Sequence, residues 1–182
     1  MLCGIDEAGR GPIAGDLVIA GCILTGKVLG LNDSKKLSEK KREALFELII
    51  CNASYHVVKF SAKCIDEEEI SKCLANGLRE IMKNLDADNY LFDGNTTFGV
   101  GGLDTMVKAD GKVAEVSAAS ILAKVTHDRD ILEVAKKYPL YHFEKHKGYG
   151  TKLHIQMIKK HGYCDIHRRS YKLKALEASL FD

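Results

Sequence analysis

The sequence predicts an α/β domain built on a mixed sheet. Short apolar runs bounded by turn residues alternate with longer segments whose apolar residues recur at helical spacing, the order expected of layered sheet and helix. The first two runs stand close together in the chain, which points to a mixed rather than an all-parallel sheet. A length of 182 residues with 46% apolar content supports one substantial core and is short for two. We therefore expect one domain over 1–182, ending in a short helical tail at about 171–182.

The first strand is expected at Leu2–Asp6, followed by a glycine-rich turn and a second strand near Leu17–Leu24. A loop then carries Asn32, Asp33, Ser34 and Lys35. Ser38–Ile50 reads as a helix with a serine cap, because Leu45, Leu48 and Ile49 recur on one face. Tyr55–Phe60 reads as a strand. Asp66–Leu85 reads as one or two helices interrupted around Asn76 and Gly77, Tyr90–Asp93 as a short buried strand, and Leu103–Lys108 as a further one. Val113–Lys137 is Ala-rich and apolar at Val116, Ala119, Ile121, Leu122 and Val125, a long helix packed on a sheet and closed by Pro139.

Composition narrows the function classes. The start, MLCGIDEAGRGP, lacks the basic and apolar stretches of a signal peptide, and the run Ile13–Leu24 is broken by Asp16 and too short for a bilayer. These features point to a soluble, cytoplasmic protein that does not engage membranes. Cys3, Cys22, Cys51, Cys64, Cys73 and Cys164 show no paired metal-ligand spacing, so buried reduced thiols are expected. The net charge of +2 conceals an asymmetry: Lys136–Lys174 holds eleven Lys or Arg against Glu144 and Asp165, whereas Asp66–Asp88 holds seven acids against three bases. The basic stretch can attract phosphates, although a solvated charged face gives the same pattern.

Acids fall at element ends. Asp6 and Glu7 close the first strand, Asp93 closes a later one, and Asp110 follows the next segment, while Asp128 lies on the long helix. Ligands bind at strand ends in α/β sheets because the scaffold fixes the backbone there. Converging carboxylates repel one another unless cations intervene, and hard oxygen ligands suit Mg²⁺ or Mn²⁺. Two such ions about 3.5 to 4 Å apart can clamp an in-line phosphoryl displacement. Two readings stand open at this point: a metal cluster, or acids that merely cap turns and helices.

The stretch DEAGRGP at Asp6–Pro12 resembles the N-terminal signature of the type 2 ribonuclease H family. The resemblance continues through DSKKL at Asp33–Leu37, FDG at Phe92–Gly94, KAD at Lys108–Asp110, SAASILAKV at Ser117–Val125, HKGYGT at His146–Thr151 and HRRS at His167–Ser170. It implies a ribonuclease H-like mixed five-stranded sheet flanked by helices, with Asp6, Glu7, Asp93 and Asp110 as catalytic, metal-binding carboxylates for two Mn²⁺ or Mg²⁺ ions. Asp128 matches the acid on the long helix and is kept as a possible additional site residue.

The same resemblance implies the substrate readers. Gly9, Arg10 and Gly11 match a motif whose backbone approaches the 2′-hydroxyl of a ribonucleotide, an approach that glycine permits. Tyr149 matches a tyrosine that packs on the following sugar and so favours a deoxyribose there. Lys35 is expected at the phosphate near the scissile bond. His146, Lys147, Lys152, Arg168 and Arg169 are expected to contact the nucleic-acid backbone, which positions but does not distinguish RNA from DNA. The implied activity is hydrolysis of RNA in RNA/DNA hybrids and 5′ to single ribonucleotides in duplex DNA, by a protein that need be no more than a monomer.

Two departures stand out. His127 occupies the position where the family usually has arginine, and the sequence after HRRS is only YKLKALEASLFD, from which weaker duplex affinity is expected. Ala178, Ser179, Leu180 and Phe181 weakly resemble a short motif that binds the replication sliding clamp, but the same residues also suit the apolar face of a last helix. A DNA junction nuclease and a catalytically dead binding module are the competing classes. Cleavage of all-DNA substrates separates the first, and the complete acid set weighs against the second.

Overall fold

The computed structural model describes residues 1–173. The strands are β1 (Leu2–Ala8), β2 (Leu17–Leu24), β3 (Ala53–Phe60), β4 (Asn89–Asp93) and β5 (Asp104–Met106). The helices are α1 (Glu39–Cys51), α2 (Ala62–Glu68), α3 (Ile70–Asn84), α4 (Ala114–Lys137), α5 (Phe143–His146) and α6 (Lys152–His161). The sheet runs β3-β2-β1-β4-β5; β1–β2 and β2–β3 are antiparallel, whereas β1–β4 and β4–β5 are parallel. The expected mixed five-stranded sheet is therefore present.

The continuous apolar run of β2 reflects burial on both faces. Leu17, Ile19 and Ile23 join Leu74, Leu78 and Ile81 of α3 in one core, while Val18, Ala20 and Cys22 join Leu45 and Ile49 of α1 and Ile121, Leu122 and Val125 of α4 in another. Ser38 caps α1 through Lys41 N at 3.3 Å, as its sequence suggests, but Leu48 is exposed. The third cluster, Ile13, Ala14, Ile131, Tyr141, Phe143 and Ile158, ties the glycine-rich turn to the later helices.

Two expectations need correction. The break in the acidic helical region lies at Glu69, which adopts φ 67, and not around Asn76–Gly77. Gly77 instead lets α3 press on β2: a Cβ there would meet Ile19 Cδ1 at 2.3 Å. The cysteines are free, but Cys51 is exposed and Cys64 and Cys164 are only half-buried. No helix among the described residues is long and apolar enough to cross a membrane. The residues 178–181 proposed for clamp binding, and most of the expected tail helix, lie outside the described residues.

Candidate active site

Parallel pairing of β1 with β4 carries the site's first two acids to one edge of the sheet. Ile5 pairs with Phe92, so Asp6 and Asp93 follow side by side. Asp110 arrives on a 3-10 turn at Ala109–Gly111, where Asp93 Oδ1 accepts from Ala109 N at 3.2 Å and Ser117 Oγ donates to Asp110 O. One carboxylate oxygen from each of Asp6, Asp93 and Asp110 lies within 4.8 Å of the other two. Gly4 permits the close seat of α4 behind them, since a Cβ there would meet backbone atoms of Glu115 and Val116 at 2.3 Å.

The electrostatics match that crowding. Burial, then the charges of Glu7 and Asp93, pushes Asp6 well above the usual carboxylate range. Burial also raises Glu7, with Arg10 opposing and Asp93 reinforcing the shift, and burial with Asp93 and Asp33 raises Asp110. Glu7 Oε2 is buried without a hydrogen-bond partner, and Glu7 lines the same cleft without belonging to the tight trio. A cation fits this set: hard oxygens converge, their charges repel, and one is unsatisfied.

Asp128 does not join the trio. It bonds Lys124 Nζ at 2.8 Å and His127 Nδ1 at 3.0 Å, with Arg42 at 3.9 Å. Burial alone would raise its carboxyl, but the bonds from His127 and Lys124 hold it below the usual range. His127 is thus paired through Nδ1 while its buried Nε2 has no hydrogen-bond partner, and its ring packs under Gly9, whose Cβ would meet His127 Cδ2 at 2.7 Å.

A second cleft of about 310 Å³ continues from Asp6 and Glu7 along Gly9–Gly11 to Lys35 and Tyr149. Gly9 turns at φ 83, and the Tyr149 ring stands 3.6 Å from where a Gly11 Cβ would sit, so a side chain at residue 11 would narrow the gap. Tyr149 is 45% exposed. Arg10 pairs with Glu7 at 3.8 Å and lies over Phe98 at 5.6 Å. Lys35 is exposed and lines both clefts.

The basic residues expected at the nucleic-acid backbone divide by burial. Arg169 is exposed and Lys147 half-buried at φ 50. Arg168 is only 1% exposed and His146 is buried, with its Nε2 bonded to Tyr141 O at 2.8 Å. The expectation of direct phosphate contacts from these two gives way to internal roles, because their polar atoms are turned inward. Sequence reasoning also passed over Ser34 and Ser120, whose hydroxyls meet at 2.8 Å beneath the cleft, and Asp33, which caps Lys35 N at 2.9 Å. The DSK and SAAS stretches contained that signal, but only Lys35 was drawn from them.

A family model described as Ribonuclease HII matches residues 3–174. The ribonuclease HII of Sulfurovum sp. (strain NBC37-1) is 61% identical over 181 residues, covering 99% of this chain and 96% of that protein. Among solved structures, the ribonuclease HII in the PCNA:RNase HII complex from Archaeoglobus fulgidus superposes with a TM-score of 0.82 at 30% identity, covering 96% of each chain. The ribonuclease H2 from Pyrococcus horikoshii OT3 gives 0.77 at 28% identity, covering 97% of this chain and 95% of that one.

Proposed function

The chain belongs to the ribonuclease HII family, and from that premise we propose that it cuts RNA in RNA/DNA hybrids and 5′ to single ribonucleotides in duplex DNA. The products are a 3′-hydroxyl and a 5′-phosphate. The observation that carries this reading is the convergence of Asp6, Asp93 and Asp110 beside a cleft walled by Gly9–Gly11 and Tyr149.

Asp6, Asp93 and Asp110, with Glu7 beside them, would hold divalent Mg²⁺ or Mn²⁺. Bound there, two such ions supply positive charge to a phosphoryl displacement and make water a stronger nucleophile. The protein's own groups set which bond is presented. Backbone amides of the Gly9–Gly11 turn face a ribose hydroxyl, and a group at that position distinguishes RNA from DNA. The Tyr149 ring packs on the next sugar, where a deoxyribose fits best, and Lys35 and exposed Arg169 draw in phosphates. Lys108 and Lys112, at the rim of the acid cleft, add to that attraction.

The test is cleavage of a DNA duplex bearing one ribonucleotide, beside an all-DNA duplex and a long hybrid, with Mg²⁺, Mn²⁺ or chelator. Metal-dependent cutting 5′ to the ribonucleotide supports the reading. Cutting of the hybrid alone removes the junction preference, and cutting of all-DNA duplex moves the protein to another nuclease class. A role in removing ribonucleotides from DNA follows if the first outcome holds. The Archaeoglobus neighbour was solved bound to PCNA. Clamp binding by residues 178–181 is proposed here on the same footing, and deletion of Leu180–Asp182 without loss of clamp affinity would sink it.

A further inference from the structure

Arg168 is the largest fully buried side chain of the described residues, and its bonds lead to the glycine-rich turn more than 150 residues earlier. Nη2 donates to Gly9 O at 2.6 Å and Gly15 O at 2.8 Å, Nε donates to Gly15 O at 3.0 Å, and Nη1 donates to Arg10 O at 3.3 Å. Tyr171 Oη accepts from Nη1 at 3.1 Å and donates to Arg10 O at 2.9 Å. A trans peptide plane points its N–H opposite to its C=O. Holding the Gly9 and Arg10 carbonyls toward the guanidinium therefore turns the Arg10 and Gly11 amides away from it. Neither amide has a backbone partner among the described residues, and both residues line the cleft that Tyr149 closes.

The residue before Arg168 reaches the opposite wall. Cys164 N donates to His167 Nδ1 at 2.9 Å, which leaves His167 with its proton on Nε2. That proton faces His154 Nε2 at 3.0 Å, so His154 carries its own on Nδ1 and donates it to Tyr149 O at 2.9 Å. His146 stacks on His154 at 4.2 Å and Phe143 meets it edge-on at 5.3 Å, which leaves the ring no room to turn. An antiparallel bridge between Ala14 and His167 locks the two strands of this arrangement together.

We propose that His167 and Arg168 are paired positioning residues for ribose discrimination. Arg168 sets the peptide planes that present the Arg10 and Gly11 amides, and His167, through His154, sets the backbone of Tyr149. Both walls of the sugar-reading cleft are thus held by one dipeptide that does not touch the substrate. The inference rests on the reading of Gly9–Gly11 and Tyr149 as the sugar readers given above.

The experiment measures kcat and KM for a duplex with one ribonucleotide, the same duplex with a 2′-fluoro sugar at that position, and a long hybrid. Each variant is assayed well below its melting temperature. Arg168→Lys keeps the charge but cannot span the carbonyls, and should lower the ribose-to-fluoro ratio at least about tenfold. Tyr171→Phe, which removes one bond to Arg10 O without burying an unpaired charge, should shift the same ratio in the same direction and keeps the test open if Arg168→Lys does not fold. His167→Phe should lower the junction-to-hybrid ratio by a similar factor, and His167→Gln, which restores a donor near Nε2, should recover it. Loss of stability alone changes total active enzyme and leaves both ratios in place. If Tyr149→Ala leaves the junction ratio unchanged, the underlying reading fails. If it collapses that ratio while Arg168→Lys, Tyr171→Phe and His167→Phe leave both ratios intact, the positioning proposal alone is overturned.

Discussion

Acid should weaken this protein through His154 and His167. The two rings are 0% and 2% exposed, and burial lowers each to about 4, with His146 and His167 reinforcing the effect on His154, and Arg169 and His146 reinforcing it on His167. In the unfolded chain each titrates at about 6.5. Stability from these groups is therefore complete above about pH 6.5, declines as pH falls because only the unfolded chain takes up protons, and levels off below about pH 4. From pH 7.5 to pH 5 the linkage integral is about 2 kcal/mol per histidine, hence about 4 kcal/mol for both if they act independently. Asp6, Glu7 and Asp110 act in the opposite sense, since their raised carboxyls bind protons in the folded state as pH drops. The informative quantity is the difference between proteins. Urea unfolding at half-unit intervals from pH 7.5 to 4.5, in chelator, should show a steeper loss for the parent than for the His154→Gln/His167→Gln double variant. Glutamine keeps donors and acceptors without titrating in this range. Parallel stability curves would refute the argument, whatever the offset between them.

Asp93→Asn should remove a charge interaction worth about 3 kcal/mol to the reaction, or about 100-fold in rate; in chelator it should melt no lower than the parent because it relieves repulsion at Asp6. Divalent ion at about 100 times its Kd should stabilise the parent by about 2.7 kcal/mol and the Asp93→Asn variant by much less, as read by calorimetry. Gly77→Ala should destabilise by about 1 to 3 kcal/mol despite alanine's better helix propensity, because the new methyl meets Ile19 and Phe60; unchanged urea unfolding would contradict that packing. Asp128→Ala should cost about 3 to 5 kcal/mol by leaving Lys124 and the buried side of Arg42 without their partner, again by urea unfolding.

The sheet and its acids were legible because period and chemistry coincide. Short apolar runs bounded by turn residues locate β1, β2 and β4 to within a few residues, and the acids that end β1 and β4 need only the strand order to be brought together. Gly77 misled because glycine signals both a helix break and a close approach, and only the position of Ile19 across the interface decides between them. Arg168 and His146 misled for a different reason. A basic residue in a basic stretch reads as solvated, yet at Arg168 several backbone carbonyls replace water, and they belong to a turn at the other end of the chain. Asp128 was distinguishable from the trio only through the partners that neutralise it, of which Arg42 comes from a separate helix.

The strand order also governs when the site can exist during synthesis. β1 precedes its parallel partner β4, which begins at Asn89, so the β4-facing edge of the β1–β2 hairpin stays open while more than sixty residues are added after Leu24. At 5 to 20 residues per second that is on the order of ten seconds. The acids at the end of β1 cannot meet Asp93 and Asp110 in that interval, and α4, which covers them, follows later still. A nascent chain therefore carries an exposed apolar strand edge before Asp6, Asp93 and Asp110 can converge, so the hazard of wrong strand pairing comes early and assembly of the acid cluster late.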